Sequence, residues 1–235
     1  MSFIKNKILK IIKGYGDSAD YCEYLRKKGE VLGENVHFYS PHRIHIDITR
    51  PYGVKIGNNV HIAADVSILT HGFDWIVLKT LNDDVLGSFG EVVIGDNVFI
   101  GQRATILKGV HIGNNVIVGA GALVTKDLES DGVYCGNPAR RVCSISEYYE
   151  KRKAQQLNEA KALVLSYVNR YGKMPPKKEL SEFFFLFEDR NEELLPEFVF
   201  QMKNNGKLEE CKDLYLSGHR KQFENYEEFL NYCVK

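Results

Sequence analysis

Residues 94–124 read IGDNVFIGQRATILKGVHIGNNVIVGAGALV, and along them every sixth residue is aliphatic: Ile94, Ile100, Ile106, Ile112, Val118 and Val124. Gly follows at positions 95, 101, 113 and 119, and a second apolar residue stands four places after each aliphatic one, at Val98, Ala104, Val110, Val116, Ala122 and Leu128. A period of six fits neither the two-residue alternation of a strand nor the 3.6-residue turn of a helix. Tandem hexads predict a solenoid of short parallel strands wound in coils, the aliphatic residue filling the inside. Gly and Asn are then expected at corners where the backbone takes φ > 0.

Upstream, Ile56-Gly-Asn-Asn-Val60 with Ile62 and Ile68 carries the same pattern. Ile68 and Ile94 stand 26 residues apart, two more than four repeats, so the phase slips and a loop at 70–92 is expected to leave the coil. Residues 31–50, VLGENVHFYSPHRIHIDITR, hint at the hexad through Leu32-Gly33 and Phe38 and lose it near Pro41 and Pro51, which predicts an irregular first coil. The solenoid is therefore placed at 31–143, after an N-terminal helical segment (1–30). Beyond it, Ser144-Ile-Ser-Glu147 forms a capping-box pattern opening a helix at 146–171. Pro175-Pro176 ends that helix. Helical segments are expected at 178–188, 192–203, 208–216 and 224–234, together a C-terminal extension (144–235) that packs and stabilises oligomers.

The 235-residue chain is 44% hydrophobic and carries 31 basic and 31 acidic residues, enough apolar content for a sizeable core and no net charge to attract nucleic acid. Five scattered cysteines without a CxxC pair suggest a reducing compartment. With no apolar run of spanning length and no signal-peptide pattern, a cytoplasmic location is expected. Residues 2–13, SFIKNKILKIIK, form a basic amphipathic pattern that suits packing on the protein itself or weak contact with an anionic membrane.

The motifs Ile56-Gly-Asn-Asn-Val60, Ile68-Leu-Thr-His71, Val93-Ile-Gly-Asp-Asn-Val-Phe-Ile-Gly101, Val118-Gly-Ala-Gly-Ala-Leu-Val-Thr-Lys126 and Gly136-Asn-Pro-Ala-Arg140 resemble the hexapeptide-repeat acyltransferases. Within them the chain is similar to the galactoside and maltose O-acetyltransferases. Its Arg50-Pro51, Asp74-Trp75 and Glu147-Tyr-Tyr-Glu-Lys-Arg152 are similar to a branch whose genes tend to sit in surface-polysaccharide loci. The resemblance implies a left-handed parallel β-helix, acetyl-CoA as acyl donor, a homotrimer with its sites between subunits, and a sugar or glycan hydroxyl as acceptor.

Acyl transfer from a thioester to an alcohol needs a base for the hydroxyl proton and a donor for the oxyanion. His71, at the root of the expected loop, matches the family's catalytic histidine, and an imidazole titrates where such a base must work. Asp47 is the upstream acid best placed to orient it or to bind the acceptor. Asp74 and Trp75 are candidates for sugar contact, Trp75 by stacking or else as an anchor for the loop. For acetyl-CoA the family positions correspond to Gly101, Gln102, Gly119, Ala120, Thr125, Lys126 and Arg140, with Arg141 adjacent; the cations would meet phosphates. Gln102 stands where Ser is common, leaving a backbone N–H for the oxyanion. The galactoside type places its second arginine three residues beyond the first, where this chain has Cys143.

His37, His42 and His45 raise a metal site, and a related β-helix family comprises zinc carbonic anhydrases that use two histidines five apart. No metal is expected here, on a reading that takes that spacing as absent. N-acetylation of an amino sugar and a non-catalytic scaffold are the competing functions. A serine acetyltransferase fits less well, because those enzymes carry their helical domain before the solenoid.

Overall fold

The structure, a computed structural model, describes residues 7, 10–190, 193–204, 207–218 and 220–235, which fall into two compact units, Met1–Tyr148 and Tyr149–Lys235.

In the first unit the chain visits three sheets in rotation, one short strand in each. The first coil comprises β1 (Val31–Leu32), β2 (His37–Phe38) and β3 (His45–Ile46), and the second β4 (Val54–Ile56), β5 (Val60–Ile62) and β6 (Ser67–Ile68). The third comprises β7 (Val92–Ile94), β8 (Val98–Ile100) and β9 (Thr105–Ile106), and the fourth β10 (His111–Ile112), β11 (Val116–Val118) and β12 (Leu123–Val124). Each strand pairs in parallel with its counterpart in the next coil, as in Val98↔Val116 and Thr105↔Leu123. One hexad spans one side and its corner, so three hexads return the chain to the same sheet and the aliphatic columns point inward. Ile62, Ile68, Ile94, Ile100 and Ile106 are all but inaccessible to solvent. The last coil ends in β13 (Gly132–Cys135), against which β14 (Arg140–Ser144) pairs antiparallel.

The corners correct one expectation. Positive φ is held at one corner by Asn35, Asn59, Asn97, Asn115 and Asp131, and the glycines beginning each hexad do not share it. Glycine is needed there because the coils stack too closely for a Cβ: one on Gly57 would lie 2.7 Å from the Gly95 carbonyl oxygen, and one on Gly95 2.9 Å from that of Gly113. The neighbouring polar residues form a ladder down the same edge. Asp96 N–H donates to Asn114 Oδ1 at 2.8 Å, Asn114 N–H to Ser130 Oγ at 2.9 Å, and the Asn97 amide to Asn115 at 2.8 Å. Short side chains thus satisfy turn amides that would otherwise lack partners.

A helix, α1 (Ser18–Lys28), covers the open end of the first coil. Asp17 caps its start by accepting from Asp20 N–H, and Gly29 ends it at φ 104°. Tyr21 packs edge-on against Phe38, and Leu25 is fully buried. Most of the basic stretch 2–13 lies outside the described residues; Lys10–Lys13 is helical, with Ile11 and Ile12 exposed.

The phase slip becomes a 20-residue excursion. Ile56 pairs with Ile94, 38 residues on, whereas Ile94 pairs with Ile112, 18 residues on. The excursion contains a helix, α2 (Trp75–Asn82), where the broken repeat predicts only a loop. Its ends are tied where Gly90 N–H donates to Thr70 C=O at 2.9 Å.

The second unit carries all but the first turn of α3 (Ile145–Tyr171), with α4 (Pro196–Asn204), α5 (Leu208–Gly218) and α6 (Tyr226–Val234), around a core including Val164, Leu180, Phe187, Phe198 and Phe229. The capping box forms as expected: Glu147 N–H donates to Ser144 Oγ, and Ser144 N–H to Glu147 Oε2 at 2.8 Å. The Phe-rich segment at 178–188 is not an α-helix. It makes two 3-10 turns, Lys177–Leu180 and Phe184–Leu186, although Leu180, Phe183, Phe184 and Phe187 recur at helical spacing: the packing of Phe184 on Phe198 and Tyr215, and of Phe187 on Tyr226 and Phe229, overrides that local pattern. Of the segment expected at 192–203, residue 192 lies outside the described residues and the helix runs Pro196–Asn204. Among the described residues no helix is long and apolar enough to cross a membrane.

Candidate active site

Asp47 follows β3, and His71 follows β6 by three residues, so two adjacent coils deliver them to one corner at the root of the excursion. His71 Nδ1 lies 2.5 Å from Asp47 Oδ2, with the two side chains 18% and 5% exposed. Thr70, fully buried, donates its hydroxyl to the same carboxylate oxygen. Thr49 serves Oδ1 twice, through its N–H at 3.0 Å and its hydroxyl at 2.6 Å. Burial opposes ionisation of Asp47, but these donors outweigh it and hold its carboxyl well below the usual carboxylate range. An ionised Asp47 accepts a proton-bearing Nδ1, which leaves the lone pair of the neutral imidazole on Nε2. Phe73 stands edge-on to the ring, its centroid 5.0 Å away.

Sequence reading missed Thr49 and Thr70, although both were legible: a Thr two residues after an Asp is a common local hydrogen-bond partner, and Thr70 precedes the histidine. It also missed Glu30. Directly before β1, Glu30 is level with the inward Val54 and Val92, so a carboxyl occupies an aliphatic column of the core. It is 4% exposed, and neither oxygen has a partner among the described residues. Burial, with the Asp47 charge adding to it, pushes its pKa up to about 8.

Asp74 is exposed beside Gly72, and Trp75 opens α2 half-buried, with the Lys79 ammonium 5.4 Å from its ring centroid. The positions matched to acetyl-CoA lie on the later coils. Gly101 and Gly119 are explained by stacking: a Cβ on Gly101 would lie 2.6 Å from Ala120 N, and one on Gly119 2.5 Å from Cys135 Sγ. Their own N–H groups donate to Val118 and Tyr134 carbonyls at 2.8 Å, so those amides serve the coil. Among the described residues the N–H groups of Gln102 and Ala120 have no carbonyl partner and remain available to a ligand. Thr125, Lys126 and Arg140 are exposed, and neither cation has a carboxylate partner among the described residues, which suits a phosphate-bearing ligand. Arg141 is tied instead to the Asp131 carbonyl at 3.1 Å and to Glu129.

The five-residue histidine spacing is in fact present, from His37 to His42, but the two rings have different surroundings. His37 packs with Tyr39 and His61, whereas His42 Nε2 meets the Gly16 carbonyl at 3.2 Å and stacks on Tyr15. Among the described residues no group of three or more His, Cys, Asp or Glu is placed to hold a metal ion.

Residues 91–126 match the family model described as bacterial transferase hexapeptide (six repeats). Protein CapG of Staphylococcus aureus is 40% identical over 158 residues, covering 63% of this chain and 90% of that relative. The galactoside O-acetyltransferase of Escherichia coli K12 is 35% identical over 127 residues, 51% of this chain and 61% of the enzyme. A solved maltose O-acetyltransferase from Clostridium difficile 630 aligns at 30% identity with a TM-score of 0.38, over 54% of this chain and 75% of that one. The chain belongs to the hexapeptide-repeat transferases, and it is an acyltransferase.

Proposed function

We propose that the protein is an acetyl-CoA-dependent O-acetyltransferase that acetylates a sugar hydroxyl, acting in the cytoplasm on a precursor or unit of a surface polysaccharide. The observation that carries this reading is the buried, ionised Asp47 on His71 Nδ1, which fixes the imidazole with its basic nitrogen facing away from the carboxylate. His71 Nε2 takes the proton of the acceptor hydroxyl as its oxygen bonds to the thioester carbonyl carbon. Asp47 stabilises the imidazolium that results. When the C–S bond breaks, the proton passes from His71 to the departing thiolate, leaving an acetyl ester and free coenzyme A. Gln102 N–H supplies the donor for the transient oxyanion, and Lys126 and Arg140 hold phosphates of the donor.

The three-sheet coil is read as a left-handed β-helix on the strength of the family. Its assembly is a trimer, with each site completed by a neighbouring subunit. Asp74 and Trp75, on the excursion next to His71, are assigned to the acceptor.

The reading is tested by incubating the protein with acetyl-CoA and a panel of neutral, acidic and amino sugars, and examining products by mass spectrometry before and after mild alkali. An acetyl adduct removed by alkali is the ester expected. An alkali-stable adduct found only on amino sugars would assign N-acetylation instead, and no adduct with any sugar would contradict sugar acetylation.

A further inference from the structure

Within the helical unit lies a cleft of about 710 Å³ that the transfer chemistry does not use. Small-ligand clefts run from roughly 300 to 1,000 Å³, so its size is that of a binding site rather than a packing defect. One wall is a face of α3: Tyr149, Arg152, Lys153, Gln156 and Glu159 recur at helical spacing along it. The opposite walls are the turn segment carrying Glu182 and Phe185 and the stretch carrying Arg220 and Gln222. These walls are joined by backbone, because Gln222 and Phe223 N–H both donate to the Leu186 carbonyl, at 2.9 and 3.0 Å.

The chemistry of the lining is selective. Tyr149, 58% exposed and with the Lys153 ammonium 5.7 Å from its ring centroid, and the half-buried Phe185 bring aromatic surface to the lining of the cleft. Between them stand planar hydrogen-bonding groups. Arg152 and Glu159 form a two-pronged pair, Nη1 to Oε1 at 2.6 Å and Nη2 to Oε2 at 2.7 Å, which fixes both planes across two turns of the helix. Gln156 stands between them in sequence on the same helix face, and Gln222 lines the far side. Aromatic faces beside flat, bifurcated donors and acceptors are what a pyranose requires: its C–H face packs on a ring while adjacent hydroxyls bridge amide, guanidinium or carboxylate groups.

The charges narrow the class further. Arg152 is neutralised by Glu159, so Lys153 and Arg220 stand against Glu182, a surplus of one positive charge. A polyphosphate would concentrate its negative charges on adjoining groups beside the two carboxylates, whereas a uronic-acid glycan spaces its carboxylates one to a sugar, so that a single one meets Lys153 and Arg220.

We infer that this cleft is a second carbohydrate site, binding a short stretch of an acidic, uronic-acid-containing glycan. The sugar-acceptor reading gives it a use, since a polymer held by the helical unit raises the effective concentration of acceptor at the transfer site. Binding itself does not depend on transfer.

The test uses the full chain carrying His71→Ala, without acetyl-CoA, titrated by calorimetry with a galacturonate tetrasaccharide, maltotetraose, ATP and inorganic phosphate. The galacturonate oligomer is expected to bind and maltotetraose to bind more weakly. Tyr149→Ala, at an exposed position that leaves folding intact, and the pair Lys153→Gln with Arg220→Gln are each expected to weaken the galacturonate about tenfold, equivalent to about 1.4 kcal/mol. Circular dichroism and melting temperature verify that each variant is folded. Absence of binding by either oligosaccharide at millimolar concentration, binding unaltered in the folded variants, or displacement of galacturonate by ATP or phosphate at equal concentration would overturn the assignment. Because His71 is replaced throughout, failure here leaves the acetyltransferase reading untouched, and failure of that reading leaves this one untouched.

Discussion

The coils at 92–128 and the excursion that joins β6 to β7 are built from the same kinds of residue and treat them differently. In the coils, polar groups face one another across equivalent positions: Asp96 meets Asn114, Asn97 meets Asn115, and Gly95, Gly101 and Gly113, which open hexads, are fixed by the backbone stacked on them. Periodicity allows this, because the residues of the third coil find their counterparts 18 positions on. At the root of the excursion there is no counterpart. Asp47 and His71 come from different coils, and Thr49 and Thr70 supply further donors to one carboxylate, leaving an imidazole nitrogen directed elsewhere. Where the repeat is intact its polar groups stabilise the fold, and where it breaks they are free for chemistry.

The largest effect that sharpens this contrast is expected from Asp47→Asn. The amide keeps the shape but presents no anion to Nδ1, so turnover is expected to fall by about 10²–10⁴-fold while acetyl-CoA binding is retained. Steady-state thiol release beside calorimetry separates the two. Wild-type turnover in this variant would place the chemistry elsewhere.

Next in size is a pH effect that sets Asp47 against Glu30, two carboxyls treated in opposite ways. Burial raises Glu30 in the folded protein to about 8, so the fold favours its neutral form. Its contribution to stability is complete below the unfolded pKa near 4.5 and is lost as pH climbs through about 8, at roughly 1.4 kcal/mol per pH unit across that window. Asp47 behaves inversely: its contribution is present above the ordinary aspartate range and is lost as pH falls through its depressed folded value. Melting curves of wild type and Glu30→Gln from pH 5 to 9 are expected to diverge, with the wild type losing stability relative to the variant as pH rises. Parallel curves would mean that Glu30 is solvated.

The smallest effects compare glycines. Gly95→Ala forces a Cβ to within 2.9 Å of the Gly113 carbonyl and is expected to cost about 1–3 kcal/mol in chemical denaturation. Gly87→Ala, in the excursion, has nothing within 4 Å and is expected to change stability by less than about 1 kcal/mol. Equal effects would break the distinction between coil and excursion.

The coils were legible because one period specified strand, corner and core together, from Ile94 to Val124. The slip between Ile68 and Ile94 marked the excursion by arithmetic, and His71 stood at its edge. Gly109 and Gly121 hold the positive φ expected of corner glycines, but those opening the hexads do not, since sequence shows that glycine recurs and not whether φ or a stacked carbonyl requires it. Glu30 was invisible because the first coil is irregular: only the observed register, Val31 with Lys55, shows that a carboxyl stands in an aliphatic column. The Phe-rich turns were not legible because the helical spacing of Leu180, Phe183, Phe184 and Phe187 is overridden by ring packing on Phe198, Tyr215, Tyr226 and Phe229, which come from distant parts of the chain.

The most direct test of the central claim is the rate of acceptor-dependent thiol release by His71→Ala, measured on protein shown by calorimetry to bind acetyl-CoA as the wild type does. Turnover reduced by about 10²-fold or more with binding intact is the predicted result. Turnover at the wild-type rate would contradict the assignment of His71 as the base.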